Sequence, residues 1–348
     1  MIKKITFLMI LMLMVSFFTF AATNKEKEDL YLKAATEKDM TVKLGLLKEY
    51  VEKYGQNDDK FLRFIYQSLA DTCYRLKNYD DAIKYAEIAV GYEDIDQTSR
   101  LNLLFSLSNS YYITKKDLDK AYTYAEKILE LTDKFIKQME TSNQDKAKVE
   151  QMVGVYKSSF IAPTYNLEAM ILFAKDKDNV ELIKRAAEKT LKAYEIDKSE
   201  STANRAFSLA GNLYQKNQFN DAIGILEQIV NKDHPKANEA NLLASLYIKM
   251  KDKDKAIHYY ELAYKAKPQS ELAMKLGQLL HKTNPEKGAR FFADAYVMNH
   301  EDKQTDAYKY LEQVYFLGIA KDKSAEEKEE GFKQMIEAAK ARLGGGNN

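Results

Sequence analysis

From Ser201 to Asp302 the apolar positions of the chain recur as blocks, and one block is written three times: FSLAGNLYQKNQFNDAIGILEQI, ANLLASLYIKMKDKDKAIHYYELAYKAKP and AMKLGQLLHKTNPEKGARFFADAY. Aligned on the alanine that opens the second half of each block, Ala222, Ala256 and Ala289 fall at steps of 34 and 33 residues. Thirteen residues before each lies a leucine, Leu209, Leu243 or Leu276, followed by a small residue, Ala210, Ala244 or Gly277. Leu213, Tyr247 and Leu280 come three residues after the small one, which completes an apolar stripe at the helical period of about 3.6. A fixed period of this length with helical patterning predicts an all-α chain of stacked helix-turn-helix units, a right-handed α-solenoid. The small residue lets the second helix approach within the roughly 8–10 Å of close helix packing. The alanine on that second helix then sits where a larger side chain would overpack.

These residues resemble tetratricopeptide repeats. That family's pattern runs through an apolar or aromatic residue, leucine and a small residue, a tyrosine, a turn, an aromatic, alanine, a second alanine or aromatic, and a closing proline. Leu243, Ala244, Tyr247, Ala256, Tyr260, Ala263 and Pro268 meet most of it in one repeat, and Phe219 supplies the turn aromatic in the repeat before. The chain departs from it in lacking tryptophan, in placing Lys253 at the turn aromatic, and in closing the third copy without proline. The resemblance implies a protein-binding scaffold, here of an exported bacterial type, whose first helices line a concave face.

The remaining chain carries weaker copies. Residues 23–60 read as an atypical helical hairpin, as terminal repeats often are. Residues 61–131 hold two repeats, one with Leu69, Ala70, Tyr79, Ala82, Ala86 and Ala89, the other with Tyr112, Leu118, Ala121 and Ala125 and one extra residue in its turn. The pattern then breaks over residues 132–163. Ile128, Leu131, Phe135 and Met139 share one face of a lengthened second helix, followed by a turn at Ser142–Asn143 and a helix from about Asp145 to Phe160. Pro163 is expected to open the next first helix, where its fixed φ is welcome. This insert is either a lengthened structural hairpin or the place of something individual to the protein. Repeats resume over 164–302, with Ala187 as a packing alanine, and residues 303–343 form a capping hairpin before the tail at 344–348.

Composition changes the picture at the N-terminus. Lys3 and Lys4 precede an uncharged run from Ile5 to Ala22, the layout of a signal peptide over residues 1–22 cleaved after Ala21 or Ala22. The alternative is an uncleaved anchor, since 18 uncharged residues nearly span a bilayer. The expected location is the periplasm. No cysteine follows the run, which excludes a lipid anchor, and the single Cys73 excludes an internal disulfide. Cys73 falls at a first-helix core position, where a buried small hydrophobe is the expected role. Lys+Arg of 53 against Asp+Glu of 52 gives a net charge of +1, without the basic excess that nucleic acid requires.

No G-x-S-x-G, P-loop, H-E-x-x-H or paired-cysteine spacing occurs, and His234, His258, His281 and His300 lack ligand spacing. No enzyme, cofactor or metal is therefore expected, an unrecognised site in the insert being the remote exception. What remains is a surface for a protein partner, a peptide or a helix. The resemblance assigns contact to outward first-helix positions, here Phe64, Gln67, Asp71, Tyr74 and Arg75, then Asn204, Phe207, Tyr214 and Gln215. The next two repeats add Asn238, Asn241, Ser245 and Lys249, then Glu271, Met274, Gln278, His281 and Lys282. Asn241 and Lys249 alone do not reproduce the carboxylate clamp of chaperone-binding relatives. Membrane contact is expected only through an uncleaved leader.

The register makes one direct prediction. Ala256→Phe forces a ring into the helix crossing and should cost about 1–3 kcal/mol; an unchanged midpoint in thermal unfolding would contradict the register.

Overall fold

A computed structural model describes residues 25–56, 60–142, 145–231 and 236–344, and every regular element among them is helical. The expected signal segment at 1–22 lies outside the described residues. Among these no helix is long and apolar enough to cross a membrane. The chain divides into two compact units, Met1–Lys198 and Ser199–Asn348.

The first unit opens with α1 (25–36), whose Tyr31 stacks on Phe61, and α2 (Met40–Tyr54), and then stacks antiparallel pairs: α3 (Leu62–Arg75) with α4 (Tyr79–Ala89), and α5 (Gln97–Thr114) with α6 (Leu118–Glu140). α7 (Lys146–Tyr156) leans on α6 and continues through a π-helical turn (Lys157–Ile161) into α8 (Ala162–Lys175), which pairs with α9 (Val180–Asp197). The second unit pairs α10 (Glu200–Gln215) with α11 (Phe219–Ile229), α12 (Ala237–Lys249) with α13 (Lys253–Ala266), and α14 (Ser270–Leu280) with α15 (Pro285–Met298). It ends in α16 (Asp306–Val314), a second π-helical turn (Tyr315–Ile319) and α17 (Ala325–Gly344). Short polar side chains start many of these helices. Asp39, Asn78, Asp96, Asp117, Asn179, Ser199, Asp252 and Asn284 each accept a hydrogen bond from a first-turn N–H, which satisfies a donor the helix itself cannot.

The predicted register is the packed one. Leu209, Leu243 and Leu276, the small residues after them, and Ala222, Ala256 and Ala289 are all buried, the three alanines completely. Two contacts show how close the crossing is. A Cβ added to Gly277 would stand 2.5 Å from the Phe292 ring of α15. In the α5–α6 pair Ser108 takes the small position, and its hydroxyl donates to the Ala121 carbonyl at 2.7 Å. Cys73 occupies the corresponding core of α3, fully buried, and burial pushes its thiol pKa up to about 11.

The turn inside three hairpins closes in one way. Lys77, Asn217 and Lys251 adopt left-handed φ of 60°, 60° and 62°, and the next residue donates back to Cys73, Leu213 and Tyr247 carbonyls at 2.8, 2.9 and 2.9 Å. The extra residue of the second repeat belongs to the helix and not to the turn. α5 runs on to Thr114, and Lys115 turns left-handed directly after it. Pro163 stands in the first turn of α8, as expected of a helix start, but that helix continues without a break from the π-helical turn before it. Proline lacks an N–H and its ring presses on the carbonyl four residues back. The π-helical turn just before it, with the Ala162 N–H bonded to the Lys157 carbonyl, widens the helix where that conflict falls.

A polar clasp joins successive hairpins in both units. The Tyr111 hydroxyl donates to Glu87 Oε1 of the preceding hairpin at 2.6 Å, Lys120 Nζ reaches the same oxygen at 3.3 Å, and Tyr124 stacks on Tyr111 at 6.0 Å. Tyr247, Glu227, Lys255 and Tyr259 repeat this arrangement: Tyr247 donates to Glu227, Lys255 Nζ stands 4.8 Å over the Tyr247 ring, and the two tyrosines stack at 5.7 Å. In the third copy Leu280 replaces the tyrosine, and a direct ion pair, Lys287 to Glu261 at 2.5 Å, remains. The Tyr111 bond holds the Glu87 carboxyl below its usual 4.5. The last helix is fastened differently. Buried Asp294 of α15 receives Arg342 Nη2 at 2.6 Å and the Tyr264 hydroxyl at 3.0 Å.

Two predictions arise from these features. A left-handed lysine is strained by about 1–2 kcal/mol, partly offset when glycine replaces it by glycine's greater chain entropy. Lys251→Gly should therefore raise stability by about 0.5–1 kcal/mol, and Asn217→Gly by less because asparagine tolerates this region. Equal effects in denaturant melts would contradict the account. The depressed Glu87 pKa gives a contribution that is present above pH 4.5 and lost as pH falls through the folded-state value. The stability deficit of Glu87→Gln should accordingly shrink on acidification from pH 7 to pH 3, and a constant deficit would remove the clasp from the account.

Candidate functional site

In the first unit the first-helix positions of α3 and α5 line an open groove of about 260 Å³, together with Lys43 of α2. Its walls are Gln67, Ser68 and Asp71 on α3 and Ser99, Asn102, Leu103 and Ser106 on α5. Serine and asparagine at 99, 102 and 106 share one face at helical spacing, opposite the buried Leu101, Leu104 and Leu107. The groove thus combines hydroxyl and amide groups with one lysine and one carboxylate. Asp71 is held by Arg75 one turn along the same helix at 2.8 Å.

The sequence-predicted residues of α3 divide between groove and packing. Gln67 and Asp71 line the groove. Phe64 is exposed, with the Arg63 guanidinium stacked 4.4 Å above its ring and Tyr31 at 6.5 Å. Tyr74 is half-buried: its hydroxyl accepts from Asn109 Nδ2 at 2.5 Å and its ring meets the edge of Tyr79 at 5.9 Å. It is a link between hairpins.

In the second unit Asn204 and Phe207 of α10 and Asn238 of α12 come together on a groove of about 440 Å³, which Lys236, Ala237, Glu239, Ala266 and Lys267 complete. Tyr214 packs on Phe219 at 5.7 Å beside the turn, and Gln215 is exposed at the end of α10. Asn241 is half-buried, and Ser245 donates to its carbonyl at 2.9 Å while meeting the Tyr260 hydroxyl at 3.1 Å. Lys249 is exposed at the end of α12. On α14, Glu271 pairs with Lys275 at 2.7 Å, Met274 is half-buried, and Gln278 and Lys282 are exposed. His281 closes the helix with Nδ1 2.9 Å from the Gln278 carbonyl, 6.4 Å from the Phe292 ring. Of the sequence-predicted residues, the grooves therefore gather Gln67 with Asp71 and Asn204 with Phe207 and Asn238.

Sequence reasoning named no site residue on α5, although Ser99, Asn102 and Ser106 carry the polar stripe that would have signalled one. Lys43, Lys236 and Lys267 had no such signal, because they lie on a second helix or at helix ends. Glu239 was hidden by its place in the first turn of α12, where acidic residues commonly serve the helix dipole. Burial raises its carboxyl pKa, with Lys236 opposing the shift. Among the described residues no three histidine, cysteine or acidic side chains gather as a metal site.

Residues 240–270 match the tetratricopeptide repeat family. The match spans α12, α13 and the turn between them, the hairpin whose pattern is written most fully. No curated protein matches the chain. Similar solved structures include YrrB, described as a TPR protein with an unusual peptide-binding site, at 13% identity over 67% of this chain and 97% of that one, with a TM-score of 0.38. The apo form of RapI is 13% identical over 83% and 97%, with a TM-score of 0.40. The TPR2AB domain of yeast Sti1, in its complex with pHSP90, is 14% identical over 85% and 98%, with a TM-score of 0.37. Residues 240–270 thus form a tetratricopeptide repeat, and the same buried leucine, small residue and alanine recur in the hairpins around it.

Proposed function

We propose that this protein is a non-enzymatic scaffold that holds a protein partner, as an extended peptide or a helix, against the first-helix faces of its repeats. The observation that carries the reading is the first-unit groove, where Gln67, Ser68, Ser99, Asn102 and Ser106 present amide and hydroxyl groups that the core does not use. A peptide main chain offers donors and acceptors along its whole length, and such side chains can meet both. The second-unit groove adds an aromatic wall at Phe207. We further propose that the chain acts in the cell envelope after export, a reading supported by the lysines and uncharged run at its N-terminus. The length of that run also supports a second reading, in which the leader stays in place and anchors the scaffold.

Photo-crosslinking in cells tests the partner reading. A benzophenone residue at Asn102 or at Phe207 should capture a discrete partner, while the same residue at Glu188 on α9, which lines neither groove, should not. Equal labelling from all three positions, or none from either groove, would contradict it. N-terminal sequencing of the recovered protein separates the two export readings, since an intact Met1 requires the anchor.

A further inference from the structure

The second-unit groove contains a carboxylate that the fold does not complete. Glu239 is only 5% exposed, yet it lines the groove beside Asn204, Phe207 and Asn238. No hydrogen bond reaches its carboxylate from the described residues. Among the described residues the nearest cation, Lys236 Nζ, stands 3.9 Å away, beyond hydrogen-bond reach. That ammonium is engaged elsewhere, 3.0 Å from Glu200 and 3.4 Å from Asn204 Oδ1. Two carboxylates thus share one lysine, and the buried one holds the weaker share. Burial works against the ionised form of Glu239, while its place in the first turn of α12 and the nearby Lys236 work for it. Lys267 closes the far wall from the exposed C-terminal end of α13.

We propose that this groove is a subsite for the side-chain cation of a lysine or arginine in the bound partner segment. Glu239 supplies the counter-charge, Asn204 and Asn238 supply side-chain carbonyls as further acceptors, and the Phe207 ring forms an apolar wall for the aliphatic stem and a π face for the charge. A cation entering here makes the charge-assisted hydrogen bonds that no described residue makes to Glu239. The inference rests on the partner-binding reading and specifies it: the segment seated in the second unit carries a basic residue at this point.

The test uses the full mature chain and three blocked nonapeptides, with a central lysine, Nε-acetyl-lysine or glutamate flanked by glycines, followed by NMR titration. The lysine peptide should shift the side-chain amide resonances of Asn204 and Asn238 saturably. The acetylated and acidic peptides should bind at least about tenfold more weakly, the loss expected when a charge-assisted bond is removed. Glu239→Gln, which keeps the shape and removes the charge, should erase the preference for lysine. It should also fold, because it relieves a buried charge, and a folded spectrum of the variant verifies this. Binding of all three peptides with equal affinity, or an unchanged lysine preference in Glu239→Gln, would overturn the subsite. Crosslinking from Phe207 reports the groove reading independently, so a captured partner with no lysine preference removes the subsite alone.

Discussion

The close crossing of each hairpin is the constraint on which the rest depends. Where leucine and a small residue meet the alanine of the second helix, the helices approach until there is no room for another methyl group: Gly277 faces Phe292 with no space for a Cβ. Dispersion and burial act over many such contacts, and a stack held by them needs no disulfide and no metal. Because the crossing is dry, a polar atom there must find a partner within it. Ser108 does so through the Ala121 carbonyl, which lets a hydroxyl stand where alanine or glycine stands elsewhere.

Between hairpins the demands are looser, and the solutions vary accordingly. The tyrosine, glutamate and lysine clasp appears at Tyr111 and again at Tyr247, but an ion pair without tyrosine serves the α13–α15 junction. Exposed ion pairs contribute little by themselves. The clasp differs because each glutamate also accepts a tyrosine hydroxyl from a ring that is itself packed. It can therefore set the spacing of neighbouring hairpins as well as attract them. The buried Asp294 has a related role at the end of the second unit, where Arg342 reaches it from the last helix. A buried aspartate with no arginine would be costly, so the pair favours one docked position for α17.

Much of the fold was legible because the hairpin crossing constrains sequence strongly. Leucine, small residue and alanine recur at fixed intervals since few other residues fit, and the helix starts are marked by Asp, Asn and Ser caps. The π-helical join that runs into α8 just before Pro163 was not legible. Proline at a helix start and proline behind a π-helical turn look alike in sequence, and only the hydrogen bond from Ala162 to Lys157 distinguishes them. The left-handed lysines at 77 and 251 carry no sequence mark either, because the turn geometry is imposed by the two helices that it joins. At the candidate site the outward register was readable, yet the commitments of single side chains were not. Tyr74 lies on the expected face but is bonded to Asn109, a residue 35 positions away, and no local pattern announces that.

The two grooves also show why a shared repeat does not imply a shared ligand chemistry. The crossing fixes the leucine, the small residue and the alanine, and leaves the outward first-helix positions free to vary. In the first unit those positions hold serines, Gln67 and Asn102, with the one acidic wall residue already paired to Arg75. In the second they hold asparagines, Phe207 and a buried glutamate whose nearest lysine serves another carboxylate. A main chain can satisfy the former, since amides and hydroxyls match its alternating donors and acceptors. The latter is the proposed seat of a side chain, because an underpartnered carboxylate favours a cation over any neutral group of the same size. On the proposed reading, recognition is divided between a groove that reads backbone and a groove that reads charge, both carried on helices whose buried faces are nearly the same.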